Sequence, residues 1–173
     1  MSQIYPRHRG IRRFSAVNRT GSVNFRKGWQ KHHLLPRQLM SRRCLASMIT
    51  SIGSAGLSLD DFDSNGVLLP GSEVIAFDEG LPLHRGPHKI YNELVFERVG
   101  AVEMEWSRTR SRDELQARTA ALSRLQLVQR GLARRIEREG RSRLTLSRRD
   151  PIGRGVDYSS LDAMAEQLWG ATV

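Results

Sequence analysis

Four of the five histidines in this 173-residue chain fall into two short runs, the adjacent pair His32-His33 and the group His84-x3-His88 about fifty residues later. Neighbouring side chains on an extended segment point to opposite faces, so one ring of the pair can ligate an ion while the other faces away from it. Residues four apart on a helix share a face, so His84 and His88 are expected to converge if His84 sits at or near a helix end. Three imidazoles with an open position describe a catalytic metal site, because structural zinc sites are closed and mostly thiolate-rich. The plain alternative is a pair of solvent-facing histidines on a basic helix. Cys44 is the only cysteine, which excludes an intrachain disulfide and a cysteine-built zinc site. It is expected as a small core residue on a helix.

Charge narrows the partners. The net charge is +10, with 25 of the 28 basic residues arginine, and a surface that basic attracts a polyanion. Residues 1–43 carry eleven basic residues and no acid, residues 44–105 are net acidic, and residues 106–154 are strongly basic again. Such flanks suit contacts to nucleic-acid phosphates, although solvated charge that keeps a small protein soluble would look the same. The length suits one domain with a real core. The longest weakly apolar stretch, Leu45 to Leu59, is broken by Ser, Thr and Gly, so no transmembrane helix is expected. The basic N-terminus is followed by no apolar run or cleavage site, so a cytoplasmic location is expected.

Residues 1–28 lack periodicity and are expected to form an irregular arm that orders on binding, with His8 as an exposed arm residue. Leu39, Met40, Leu45, Met48 and Ile49 predict one helix from Pro36 to about Ile52. Asn65-Gly66 signals a turn, Val67 to Pro70 a short buried strand, and Val74 to Phe77 a further extended piece. Ile90, Leu94, Val95, Val99 and Val102 describe a second helix ending near Trp106. Ser111-x-x-Glu114 has the form of a capping box and opens a third helix to Gly140, with Leu115, Leu122, Leu125, Val128, Leu132 and Ile136 on one stripe. That stripe either makes a dimer seam or folds back on the core. A loop from Arg141 to Gly155 and a short helix from Ser160 to Gly170 complete the reading.

The runs His32-His33-Leu34-Leu35-Pro36, Phe62 to Pro70 and His84 to Tyr91 resemble, in order, the HHxxP, NGxxLP and HxGxHxxY elements of the AHH nucleases. These belong to the HNH/endonuclease VII superfamily, the His-Me finger or ββα-metal fold, and the resemblance covers about residues 29–96. It implies an α+β protein in which a small ββα-metal core carries additional helices and basic flanks. Its divisions are a basic arm at 1–28, a nuclease core at 29–106 and a basic helical extension at 107–173. By resemblance His32, His84 and His88 hold one divalent ion, His33 is the general base, and Asn65 orients that base. The products implied are a 5′-phosphate and a 3′-hydroxyl. Imidazole ligation accepts magnesium, manganese, zinc or nickel, and a neutral imidazole can take a proton from water near pH 7.

Lys31 stands where the family has a small residue before the histidine pair, and is a candidate for phosphate contact. Arg37, Arg85 and Lys89 are further candidates for binding nucleic acid, with Arg42 and Arg43 behind them. Tyr91 is expected to pack its ring, Trp29 to serve the core or a lid, and Asp60, Asp61 and Asp63 to act as turn and cap residues. The function expected is a metal-dependent DNA endonuclease; the alternatives are an RNase of the same fold and a non-catalytic nucleic-acid-binding protein. The resemblance also allows a bacterial effector delivered to another cell and neutralised by an acidic immunity protein.

Overall fold

The computed structural model describes residues 10–53, 56–137 and 144–151. Two strands, β1 (Trp29–His33) and β2 (Gly66–Pro70), pair antiparallel, with His32 opposite Val67 and His33 opposite Gly66. The chain between them holds helices α1 (Arg43–Gly53) and α2 (Phe62–Asn65). After β2 come α3 (Glu73–Asp78), α4 (Lys89–Thr109) and α5 (Glu114–Ile136). Helices outnumber a two-stranded sheet, and the architecture is α+β of the ββα type.

One apolar cluster runs from Leu34 to Leu146 and draws on α1, α4 and α5. In α4 the inward residues are Tyr91, Val95, Val99, Val102 and Trp106; in α5 they are Ala117, Ala121, Leu125, Gln129, Leu132 and Ile136. Both series repeat at three and four residues, so each helix presents one continuous seam, and the two seams pack together with α1. The third helix therefore folds back on the core. The ends of the expected stripes do not join it: Ile90 is 64% exposed and Leu115 75%, because each lies in the first turn, outside the seam.

Several local expectations need correction. The single helix over Pro36 to Ile52 is broken: Arg37–Ser41 form a 3-10 turn, Arg42 is extended at φ −95° and ψ 115°, and α1 begins only at Arg43. Leu39 and Leu45 are six residues apart, which in a continuous helix would set them about 120° apart around the axis. The break re-phases the chain so that both are buried. Val74 to Phe77 lie in a helix and not a strand, because the Ser72 hydroxyl accepts from the Ile75 N–H and caps it, with Glu73 in the first turn. Helix α5 is capped by Asp113, whose carboxylate accepts from the Gln116 N–H at 2.9 Å, so the Ser111 capping box does not form. Asp113 has the better charge for a helix N-terminus, and the turn at Thr109 places it there. Cys44 is exposed, since Leu45, Met48, Ile49 and Ile52 take the core face of α1.

Residues 10–28 form no strand or α-helix, but they are not a free arm. Phe14 and Val17 are buried against Phe62, the Phe14 N–H donates to the Asp60 carbonyl, and the Phe62 N–H donates to the Arg12 carbonyl. Two apolar anchors and these bonds order the segment without a ligand. Helix α5 ends at Ile136; His8, the stretch toward Gly140 and the expected helix from Ser160 to Gly170 lie outside the described residues.

Candidate metal centre

The alternation of β1 sends its two histidines to opposite sides of the hairpin. His32 turns inward and is 4% exposed, while His33 lies flat against Phe14, ring centroids 3.6 Å apart and planes within 1°. The Asn65 and Tyr91 side chains brace the chain immediately after the pair. Asn65, 0% exposed, accepts from the Leu35 N–H at 2.8 Å and donates to the Leu35 and Leu59 carbonyls at 3.0 Å. The Tyr91 hydroxyl donates to the Leu34 carbonyl at 2.7 Å, and its ring packs edge-on against His32. Burial pushes the Tyr91 hydroxyl pKa up, so it remains a donor.

His84 and His88 come together in a way the helical reading does not anticipate. His84 precedes the helix, in an irregular stretch whose backbone N–H donates to the Pro70 carbonyl at 2.7 Å. His88 occupies the position just before α4, and its side chain makes no capping bond to the helix. Between them Gly86 adopts φ +80°, a left-handed turn that a side chain would strain. The rings of His84 and His88 stand 4.5 Å apart, and that of His32 lies 5.0 and 5.5 Å from them. One nitrogen of each ring lies within 4.8 Å of the others.

The donor set fits a metal ion. His84 Nδ1 bonds Gln30 Oε1 at 2.8 Å, and His88 Nδ1 bonds the Leu146 carbonyl at 3.0 Å. A carbonyl only accepts, so the His88 Nδ1 is a donor, which reserves Nε2 for a ligand; an amide oxygen on His84 has the same effect. The His32 Nε2 is buried with no partner. An orphaned imidazole nitrogen beside two others held in the ligating tautomer is what a cation would satisfy. Desolvation, then the neighbouring His84 and His88, lowers the His32 pKa to about 2; desolvation followed by His88 lowers that of His84 to about 4. Both rings are thus neutral at pH 7 and need lose no proton to ligate.

His33 is a neutral imidazole for a related reason. Burial, then the Arg37 guanidinium, pushes its pKa below the ordinary value, with Asp60 acting in the opposite sense. Its Nε2 is enclosed and without a partner.

Asn65 makes no bond to the His33 ring among the described residues; its contacts are to the backbone two residues on. Its Oδ1 also receives the Gln129 amide of α5 at 3.1 Å. Gln129 and Gln30 are functional candidates that reading the chain locally overlooks. Each carried a signal: Gln129 is a polar residue on the inward face of α5, and Gln30 shares a strand face with His32. The His33 neighbour Phe14 and the Leu146 carbonyl had none.

The candidate phosphate contacts divide. Lys31 Nζ donates to the Phe14 carbonyl at 2.9 Å, so it ties the N-terminal segment to β1. Arg37, Arg85 and Lys89 are exposed and form no ion pair among the described residues. Arg42 is exposed with its guanidinium 5.8 Å from the Phe96 ring, and Arg43 is exposed. The face of Trp29 is taken by the Arg26 guanidinium, 3.2 Å away. Asp61 caps α2 and Asp63 pairs with Arg12, as turn and cap residues would. No described helix is long and apolar enough to cross a membrane.

Residues 14–132 match the model of the AHH family, described as a nuclease family of the HNH/ENDO VII superfamily with conserved AHH. No curated protein and no solved structure matches the chain.

Proposed function

This chain belongs to the AHH family of nucleases, and from that membership we propose that it is a metal-dependent endonuclease that hydrolyses phosphodiester bonds of DNA. The observation that carries the reading is the meeting of His32, His84 and His88, with an orphaned Nε2 on His32, one strand position from a neutral His33 on the opposite face of β1. His32, His84 and His88 are the assigned ligands of one divalent ion, which when bound supplies charge stabilisation to the phosphate and the departing oxygen.

His33 acts as the general base. Its enclosed Nε2 leaves Nδ1 as the atom that takes the proton from the attacking water. The water oxygen bonds to phosphorus, the bond to the 3′ oxygen breaks, that oxygen takes a proton from solvent, and the products carry a 5′-phosphate and a 3′-hydroxyl. Phe14 holds the His33 ring by its flat stack, and burial, helped by Arg37, disfavours its protonated form. Asn65 is a positioning residue that acts through the backbone of Leu35. Arg37, Arg85 and Lys89 supply exposed guanidinium and ammonium donors to the phosphates on either side of the scissile bond. The net charge of +10 also suits an acidic immunity protein, should the chain serve as an effector.

Nicking of supercoiled plasmid at low salt tests the reading, with magnesium, manganese, zinc or nickel added singly. Nicked product is expected with metal, none with EDTA, and a loss of about 10²-fold or more in His33→Ala. Retardation without cleavage by wild type and variant alike would make the chain a binder, and cleavage confined to labelled RNA would make it an RNase.

A further inference from the structure

Two of the bonds that shape the metal centre come from a segment C-terminal to the family-matched region. Beyond α5 the Leu144 N–H donates to the Arg135 carbonyl, and residues 144–150 meet the ligand region at two points. Leu146 is buried in the main core and offers its carbonyl to His88 Nδ1 at 3.0 Å. Four residues on, Asp150 is 1% exposed and its carboxylate accepts from the Leu83 N–H at 3.0 Å, in a buried bond spanning 67 residues. Leu83 immediately precedes His84, whose own N–H is fixed by Pro70. Segment 144–150 therefore fastens one ligand directly and the backbone next to another.

We propose that residues 144–150 form the outer shell of the metal centre, with Asp150 a positioning residue that sets metal affinity through the Leu83–His84 backbone. This rests on the assignment of His32, His84 and His88 as ligands. The physical ground is that a ligating imidazole is useful only if its tautomer and direction are held before the ion arrives. His88 obtains both from the Leu146 carbonyl. His84 obtains its tautomer from Gln30, but the approach of its backbone depends on the adjacent Leu83 N–H having a buried acceptor. Without Asp150 that N–H would have to find another partner, and the loop would shift to reach it. By reciprocity, an ion that tightens the ligand loop must also tighten the segment.

Cobalt(II) serves as the probe, because its absorption bands report binding without turnover. Asp150→Ala in the full chain is expected to weaken cobalt binding by about 10- to 100-fold, the usual effect of removing an outer-shell partner. Asp150→Asn keeps an acceptor oxygen and is expected to bind within about threefold of wild type, since its bond to Leu83 survives. A folded Asp150→Ala protein, with wild-type helical circular dichroism, that binds cobalt as wild type does would overturn the proposal. A second measurement needs no change at Asp150: cobalt is expected to slow trypsin cleavage after the exposed Arg148 and Arg149 in wild type and not in His88→Ala. Equal cleavage with and without bound cobalt would also refute it. If wild type binds no cobalt at all, the ligand assignment itself fails, which is a different result.

Discussion

His32 is a buried base with no partner and two like neighbours, and this has a consequence for acid stability in the metal-free protein. Its pKa and that of His84 lie below the ordinary value near 6.5, so in acid the unfolded chain binds protons before the folded one does. Stability is therefore full above pH about 6.5. It is lost as the pH falls through about 4 for His84 and onward toward about 2 for His32. In EDTA the urea midpoint is expected to drop steadily from pH 7 to pH 4, and His32→Asn should flatten that slope. An unchanged slope in the variant would locate the titration elsewhere. Zinc should raise the midpoint at pH 7 and lose its effect near pH 4, where protons compete for the same nitrogens.

At the level of elements, Asn65 joins three pieces of the fold: the turn after β1, the segment before α2, and α5 through Gln129. Asn65→Ala would strand the Leu35 N–H, the Leu35 and Leu59 carbonyls and the Gln129 amide in a dry interior. Even after partial relaxation the expected loss is about 3 kcal/mol or more in urea denaturation. Gln129→Leu removes one bond while leaving Asn65 its backbone partners, and about 1 kcal/mol is expected. Equal losses in the two variants would mean that α5, and not the backbone of Leu35, is what Asn65 holds. Helices α4 and α5 were legible in the chain because each repeats its apolar residues over five turns or more. Helix α3 and the break before α1 were not, since a hydroxyl cap and a change of phase outweigh short apolar runs.

For the whole molecule the excess of arginine matters more than any single pair. Three ion pairs are present among the described residues, Arg12–Asp63, Arg26–Glu79 and Arg108–Glu105, against a net charge of +10. That net positive charge attracts a polyanion, and binding to DNA should weaken linearly in log–log plots against salt. Arg37→Ala, Arg85→Ala and Lys89→Ala should each lower the magnitude of that slope by about 1, uniformly across DNA sequences. A slope that no substitution alters would assign all three to solvent.

The local alphabet already held much of the centre. Period-two alternation on an extended segment separates His32 from His33, and the four-residue spacing groups His84 with His88, although as a helical pair and not across the turn at Gly86 that the fold forms. The tautomers and directions of those rings were another matter. Gln30 meets His84 across 54 residues, Leu146 meets His88 across 58, and Gln129 reaches Asn65 across 64. The first follows from the pairing of β1 with β2 and the His84 N–H bond to Pro70, the second from the Leu144 N–H bond to the end of α5, and the third from the inward face of α5. A hydrogen bond to a carbonyl leaves no trace in side-chain chemistry, so packing over the full length of the chain had to supply it.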